Sequence, residues 1–303
     1  MLPIEMQELS KTYKDKRGRK IVALERLSLR IGDGEVFGFL GPNGAGKSTT
    51  IKSLVGLIKA SSGSATIYGQ PVSSTLCRQK IGYLPENPAF YDFLTARHYL
   101  ELVGSCFAMD KDHIRRRSFE VLELLDLKHA EDRPIRGYSK GMVQRLGLAQ
   151  ALLHDPDLYM LDEPMSGLDP LGRALVKQIM CDLKARGKTV FFSTHVTADV
   201  EAVCDRVAVI VGGRLQTVND VQEILEKGIE GYMVQVTGCP KTVFGNLETV
   251  ERPGGLLDIS IPKDQLNSFL EMVTRNGGEI RLMEPRRRNL EQFFLDIVSQ
   301  NRL

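Results

Sequence analysis

The stretch VFGFLGPNGAGKSTTIKSLVGLI, residues 36–58, decides the fold. It opens as an apolar run, turns through a glycine-rich loop and continues with helical spacing. GPNGAGKST (41–49) is G-x-x-x-x-G-K-[ST] in the strand–loop–helix setting that a phosphate loop requires. Gly41, Gly44 and Gly46, with Pro42, Asn43, Ala45 and Thr49 between and after them, let the backbone curl so that successive N–H groups form an anion nest. The helix N-terminus adds about half a positive charge at the same spot. Lys47 can reach the β- and γ-phosphates, and the Ser48 hydroxyl can ligate Mg²⁺. A chance glycine-rich turn is the competing reading, and the flanks argue against it.

Working outward, KIGYL (80–84), LYMLD (158–162), TVFFS (189–193) and VAVIV (207–211) are further short apolar runs separated by helical patterns. Such strands predict an α/β fold with a parallel sheet covered on both faces. The helix DPLGRALVKQIMCDLKARG (169–187) repeats Leu171, Leu175, Ile179 and Leu183, and Gly187 is a good stop. Before residue 36, IEMQELSKTY and IVALERLSLRI alternate by twos, as antiparallel strands with one wet face do. Residues 95–153 carry helical patterns without a strand, which predicts a helical insert over about 87–155. After residue 220 the texture changes. YMVQVTG, LLDISI and EIRLM read as strands, while PKTVFGNL, KDQLNSFLEMVTRNGG and NLEQFFLDIVSQ read as helices. The order is close to a split β-α-β-β-α-β unit, the ferredoxin-like arrangement, with one more helix. Two domains are therefore expected, 1–220 and a small α+β domain over 221–303.

LYMLDEP ends in Asp162 and Glu163 at what should be the carboxyl edge of the sheet, where α/β folds bind ligands. Asp162 is the natural Mg²⁺ holder, through water, and Glu163 could polarise an attacking water. A solvated acidic turn before Pro164 is the plainer alternative. The upstream phosphate loop favours catalysis. His195 follows TVFFST at the corresponding edge of another strand and is a candidate γ-phosphate contact. A lone histidine is more often a packed or surface residue.

Lys and Arg number 40 against 38 Asp and Glu, a net charge of +2, so bulk charge gives no sign of a nucleic-acid partner. No apolar run is long enough to span a bilayer, and the first twenty residues have no secretory pattern. Five cysteines are scattered without a C-x-x-C pair, which suits a reducing compartment and argues against a zinc site.

Three more segments bring a family into view. YSKGMVQRL (138–146) resembles the signature sequence of ATP-binding-cassette (ABC) proteins, SGLDP (166–170) their D-loop and IGYLPEN (81–87) their Q-loop. The chain is most similar to the stand-alone ATPase subunits of bacterial ABC-2-type exporters, strongly over about 1–220 and more weakly beyond. The resemblance implies ATP as ligand and ATP hydrolysis as activity, with Lys47, Glu163 and His195 catalytic. It further implies that Tyr13 stacks on adenine and that Glu86 sits near Mg²⁺. Ser139 and Gly141 would bind the γ-phosphate held by another protomer, and Asp169 would bridge the protomers. Lys140 and Met142 depart from the usual glycine and glutamine of the signature, and Glu86 stands where glutamine is usual.

The same resemblance implies a head-to-tail homodimer, or a pair with a paralogous ATPase subunit. It also implies a separate integral membrane permease and a cytoplasmic, peripheral place on the inner face of the membrane. Within PENPAFYDFLTARHYL (85–100), Phe90, Tyr91, Phe93 and Leu94 are expected to line a groove for that permease; packing of the insert onto the body is the alternative. Arg115–Arg117 and Arg286–Arg288 read as solvated faces. A soluble cassette ATPase acting on ribosomes or nucleic acid is the main alternative, and a binding module without turnover a third. One phosphate loop, no sustained heptads and an intact Lys47, Asp162, Glu163, His195 set argue against them.

Overall fold

The computed structural model describes residues 1–227, 229–245, 247–287 and 290–300. These fall into two compact units, Met1–Val221 and Gln222–Leu303. In the first, the chain runs β1 (Ile4–Lys14), β2 (Lys20–Ile31), β3 (Val36–Leu40), α1 (Lys47–Leu54), β4 (Ser62–Ile67), β5 (Gln70–Pro71) and β6 (Ile81–Leu84). It continues through α2 (Ala96–Cys106), α3 (Lys111–Leu124), α4 (Lys140–Leu152), β7 (Leu158–Asp162) and α5 (Pro170–Ala185). Then come β8 (Thr189–Thr194), α6 (Thr197–Val203), β9 (Arg206–Val211) and β10 (Arg214–Asp220).

The apolar runs become one sheet in the order β10-β9-β3-β8-β7-β6, parallel except for the antiparallel edge strand β10. Every residue of β3, β7 and β8 is buried, as strands covered on both faces must be. The register matters most for function. Leu40 pairs with Thr194, Asp162 with Ser193, and Leu84 with Leu161. The phosphate loop, Glu163, His195 and Glu86 therefore all leave the sheet at one carboxyl edge.

A second, antiparallel sheet has the order β2-β1-β4-β5. Here β1 and β2 form as their alternation predicts. β4 was not legible: SGSATI buries only Ala65 and Ile67, which pair with Met6 and Ile4 of β1. Its strand identity comes from these neighbours rather than from its own composition.

Residues 95–153 are helical as expected. Asp110 caps α3 by accepting from the N–H groups of Asp112 and His113, and Ile114, Val121, Leu122 and Leu125 are buried. Gly147 lets α4 press onto the end of β6, since a Cβ there would lie 2.6 Å from Leu84 Cδ1. Two expectations change. Arg117 is not a solvated charge: its guanidinium donates to the carbonyls of Leu152 (3.0 Å) and Leu153 (3.3 Å) at the C-terminal end of α4. In α5 the buried stripe is Val176, Ile179, Met180 and Leu183, whereas Leu171 is 82% exposed. The every-fourth-residue spacing drifts off the core face, because a helix turns every 3.6 residues.

The second unit contains α7 (Val221–Lys227), β11 (Ile229–Thr237), β12 (Thr249–Arg252), β13 (Leu256–Pro262), α8 (Leu266–Arg275), β14 (Glu279–Arg287) and α9 (Leu290–Gln300). Its sheet is antiparallel in the order β12-β13-β11-β14, and α8 buries Phe269 and Val273 among Val234, Val236 and Ile259. The helix expected over PKTVFGNL is only a 3₁₀ turn, Lys241–Phe244, and β12 is a strand beyond the three that the sequence suggested. Arg286 hydrogen-bonds Ser260 Oγ and lies 3.8 Å from Glu248. Arg288 of that cluster, and Asn289 at the head of the last predicted helix, lie outside the described residues. All five cysteines are free. Among the described residues no helix is long and apolar enough to cross a membrane.

His154, just after α4, stacks on Phe107 with ring centroids 3.7 Å apart. Its Nε2 faces the Ile81 carbonyl at 3.2 Å, and its Nδ1 is buried without a partner. Burial pushes its pKa down to about 4 against the opposing pull of the Ile81 carbonyl. Between that value and about 6.5 the unfolded chain takes up a proton that the folded chain refuses. Stability present above pH 6.5 is therefore lost as pH falls toward 4. In urea unfolding at pH 7.5 and 4.5, the parent should lose about 2 kcal/mol more than His154→Gln, allowing for the ring's partial exposure.

Candidate active site

The loop between β3 and α1 curls back on the sheet. Gly41 N–H donates to the Thr194 carbonyl of β8 at 3.2 Å. Gly46 has φ +107°, and a Cβ there would stand 2.6 Å from the Ala23 carbonyl, so no other residue fits. Lys47 is 6% exposed. Its ammonium donates to the carbonyls of Gly41 (2.8 Å) and Pro42 (3.3 Å) and lies 3.2 Å from Glu163 Oε1. A cavity of roughly 270 Å³ opens here, lined by Ala23, residues 43–49, Glu86 and Glu163.

The acids of β7 come to this loop. Ser48 Oγ donates to Asp162 Oδ1 at 3.2 Å, and Ser193 Oγ donates to the same oxygen at 2.6 Å. Asp162 Oδ2 is buried with no hydrogen-bond partner. An orphaned carboxylate oxygen beside a hydroxyl is a hard-oxygen donor set, which suits a small divalent cation completed by water and phosphate oxygens. Among the described residues no cluster of three His, Cys, Asp or Glu side chains forms an all-protein metal site. Nearby on β6, the Tyr83 hydroxyl is also buried and unpartnered; burial, then the Asp162 charge, pushes its pKa up to about 12, so it stays a neutral donor.

Glu163 takes the left-handed conformation, φ +48°, which a non-glycine residue holds only when its surroundings enforce it. Its N–H donates to Ser193 O (3.2 Å) and Ser193 Oγ (3.1 Å). Its carboxylate lies 3.1 and 3.0 Å from His195 Nδ1, and since a carboxylate only accepts, the hydrogen of that contact sits on Nδ1. Lys47, Glu163 and His195 thus form one connected set.

The remaining residues lie apart from it. Tyr13 stands opposite Ile21 on β1, 38% exposed, with the Lys11 ammonium 5.0 Å from its ring centroid; it does not line the cavity. Ser139 caps α4, its Oγ accepting from Met142 N–H at 3.3 Å, and Asp169 caps α5, accepting from Gly172 N–H at 2.7 Å. These two and Gly141 are absent from the cavity lining. They form a second surface: a Cβ on Gly141 would lie 3.7 Å from Leu168, and the Lys140 stem occupies the open side of Gly167. Glu86 is exposed but does line the cavity.

Two further residues were not singled out from the sequence, although Gln144 lies inside the signature segment 138–146. Ser193 holds both Asp162 and the Glu163 backbone; its signal was a serine closing an otherwise apolar strand. Gln144, 4% exposed in α4, donates through Nε2 to the carbonyls of Glu163 (3.4 Å) and Pro164 (3.3 Å). Its signal was an amide among buried leucines.

This arrangement can be set beside known proteins. Residues 24–166 match the ABC transporter family. An uncharacterized ABC transporter ATP-binding protein of Synechocystis sp. is 46% identical over 246 residues, 80% of this chain and 69% of that protein. The bacitracin transport ATP-binding protein BcrA of Bacillus licheniformis is 30% identical over 305 residues, 98% of this chain and 97% of that one. Among solved structures, an ATP-binding subunit of an ABC transporter aligns with TM-score 0.67 and 31% identity, covering 74% of this chain and 92% of its own. An ATP-binding cassette solved as a dimer in a post-hydrolysis state, bound to ADP and Pi, aligns with TM-score 0.68 and 26% identity over 72% and 98%. By these likenesses the chain belongs to the ABC transporter ATP-binding proteins and is an ATPase of that family.

Proposed function

We propose that this chain is the energy-supplying subunit of an exporter. It binds ATP with Mg²⁺, pairs head-to-tail with a second copy or a paralogous ATPase subunit, and drives a separate membrane permease from the cytoplasmic face. One observation carries the reading: the phosphate cavity is lined by Ala23, residues 43–49, Glu86 and Glu163, and Ser139, Gly141 and Asp169 are not among them. Each chain then offers two unlike halves of a site, and two-fold pairing makes two complete ones. The dimeric state of the solved cassette and the transport role in BcrA's name support pairing and transport.

In this mechanism ATP competes for Lys47. The β- and γ-phosphates replace the Gly41 and Pro42 carbonyls and the Glu163 carboxylate as partners of the ammonium. Glu163, so released, takes a proton from the attacking water, while His195 Nδ1 keeps the carboxylate oriented. Ser48 and, through water, Asp162 would hold Mg²⁺, with Glu86 beside them; the ion neutralises charge on the phosphate oxygens. Tyr13 stacks on the adenine. The partner's Ser139 and the N-terminus of its α4 meet the γ-phosphate, and its Asp169 lies at the contact between chains. Hydrolysis removes those contacts and the pair opens.

Glu163→Gln should leave ATP affinity within a few-fold, lower turnover by at least about 10²-fold and accumulate an ATP-bound dimer in sedimentation. Normal hydrolysis by this variant would refute the assignment.

For the permease contact, Tyr91 and Phe93 are the exposed part of the 85–100 segment, at 61% and 67%. Phe90 instead packs edge-on against Tyr99 at 4.7 Å, and Leu94 is half-buried, so the groove is narrower than the expected quartet. Tyr91→Ala with Phe93→Ala should spare basal ATPase and cut co-purification with the permease several-fold; undiminished association would count against this contact.

A further inference from the structure

We propose that Gln144 is a positioning residue for hydrolysis: from the signature helix, its amide holds the backbone turn that aims the Glu163 carboxylate. This rests on the reading of Glu163 as the base and adds a requirement to it.

A buried amide is costly unless its hydrogen bonds are made. Gln144 is 4% exposed, with Leu146, Leu148 and Leu152 of the same helix buried around it. Its Nε2 reaches the carbonyls of Glu163 and Pro164, at 3.4 and 3.3 Å. These peptide units follow directly on the φ of +48° at Glu163, the one left-handed residue in the connected set. From the other side, Ser193 accepts the Glu163 N–H through both its carbonyl and its hydroxyl. The strained turn is therefore clamped between β8 and α4, and the carboxylate direction follows from the turn.

The clamp has a consequence for pairing. Gln144 lies little more than one helical turn from Ser139, which caps the same helix. The cap of α4 belongs to the partner's ATP site, whereas Gln144 touches the chain's own base. A small shift of α4 on engaging the partner's nucleotide is thus felt at Glu163 without any intervening segment. Gln144 itself need not touch ATP.

The test uses the full chain and Gln144→Met, which keeps length and apolar packing but removes the N–H donors. Turnover should fall about 10-fold or more, with KM for ATP within two-fold and the thermal midpoint near the parent's. The ATP dependence of the rate should become less cooperative than the parent's. Gln144→Glu, whose carboxyl can donate only when protonated, should recover turnover relative to the parent as pH is lowered from 8 to 6. Gln144→Met turning over within two-fold of an active parent would overturn the proposal. So would a loss in both variants that merely tracks the folded fraction, or a rise in KM with kcat unchanged. If Gln144→Met does not fold, the pH response of Gln144→Glu decides alone. A parent that neither hydrolyses ATP nor pairs would instead remove the reading beneath, and this inference with it.

Discussion

Everything at the carboxyl edge depends on how one buried ammonium is matched. Lys47 is almost wholly out of water, so its charge must be met by protein or by ligand. Within the chain it is met by two carbonyls of its own loop and by Glu163. Such a pair gives little net stability, but stripping one member leaves an uncompensated buried charge, at a cost of about 3–5 kcal/mol. Phosphate is thus the natural replacement: it restores the balance at Lys47 and sets the carboxylate loose in the same event. In the proposed mechanism, substrate binding and activation of the base are two sides of one exchange.

That exchange requires the strands to end in step. β3 delivers the loop, β7 the acids and β8 both Ser193 and His195, and the pairing of Asp162 with Ser193 fixes their relative height. A slip of one residue would turn Asp162 to the opposite face of the sheet and lose the contact with Ser48. Both faces of these strands are buried, so the register is held by specific contacts at the edge, such as Ser193 Oγ on Asp162 and Ser48 Oγ on the same oxygen.

The sequence was most legible where local chemistry and burial agree. The runs VFGFL, LYMLD and TVFFS could only be interior strands, and the phosphate loop carries its geometry in its glycines. It was least legible where structure is imposed from outside. SGSATI is a strand because β1 offers partners, and PKTVFGNL reaches only a 3₁₀ turn that stops at Gly245, φ +52°. Leu171 kept the every-fourth-residue spacing of a core residue but starts the helix, before the buried stripe begins. At the site, Lys47, Ser48, Asp162, Glu163 and His195 were visible through their motifs. Ser193 was not, and Gln144 passed as one letter of the signature segment, because both act on backbone and neighbouring carboxylate atoms rather than on the ligand.

The two ends of α4 are treated differently. Arg117 sits permanently on its last carbonyls, while its first turn is capped by a neutral hydroxyl and stays open. A guanidinium does not titrate in the physiological range and a serine carries no charge. The helix is therefore a fixed electrical rod, shorted at one pole and bare at the other. Its pull on an incoming anion combines the peptide dipole with the ammonium of Lys140, the first residue of the helix.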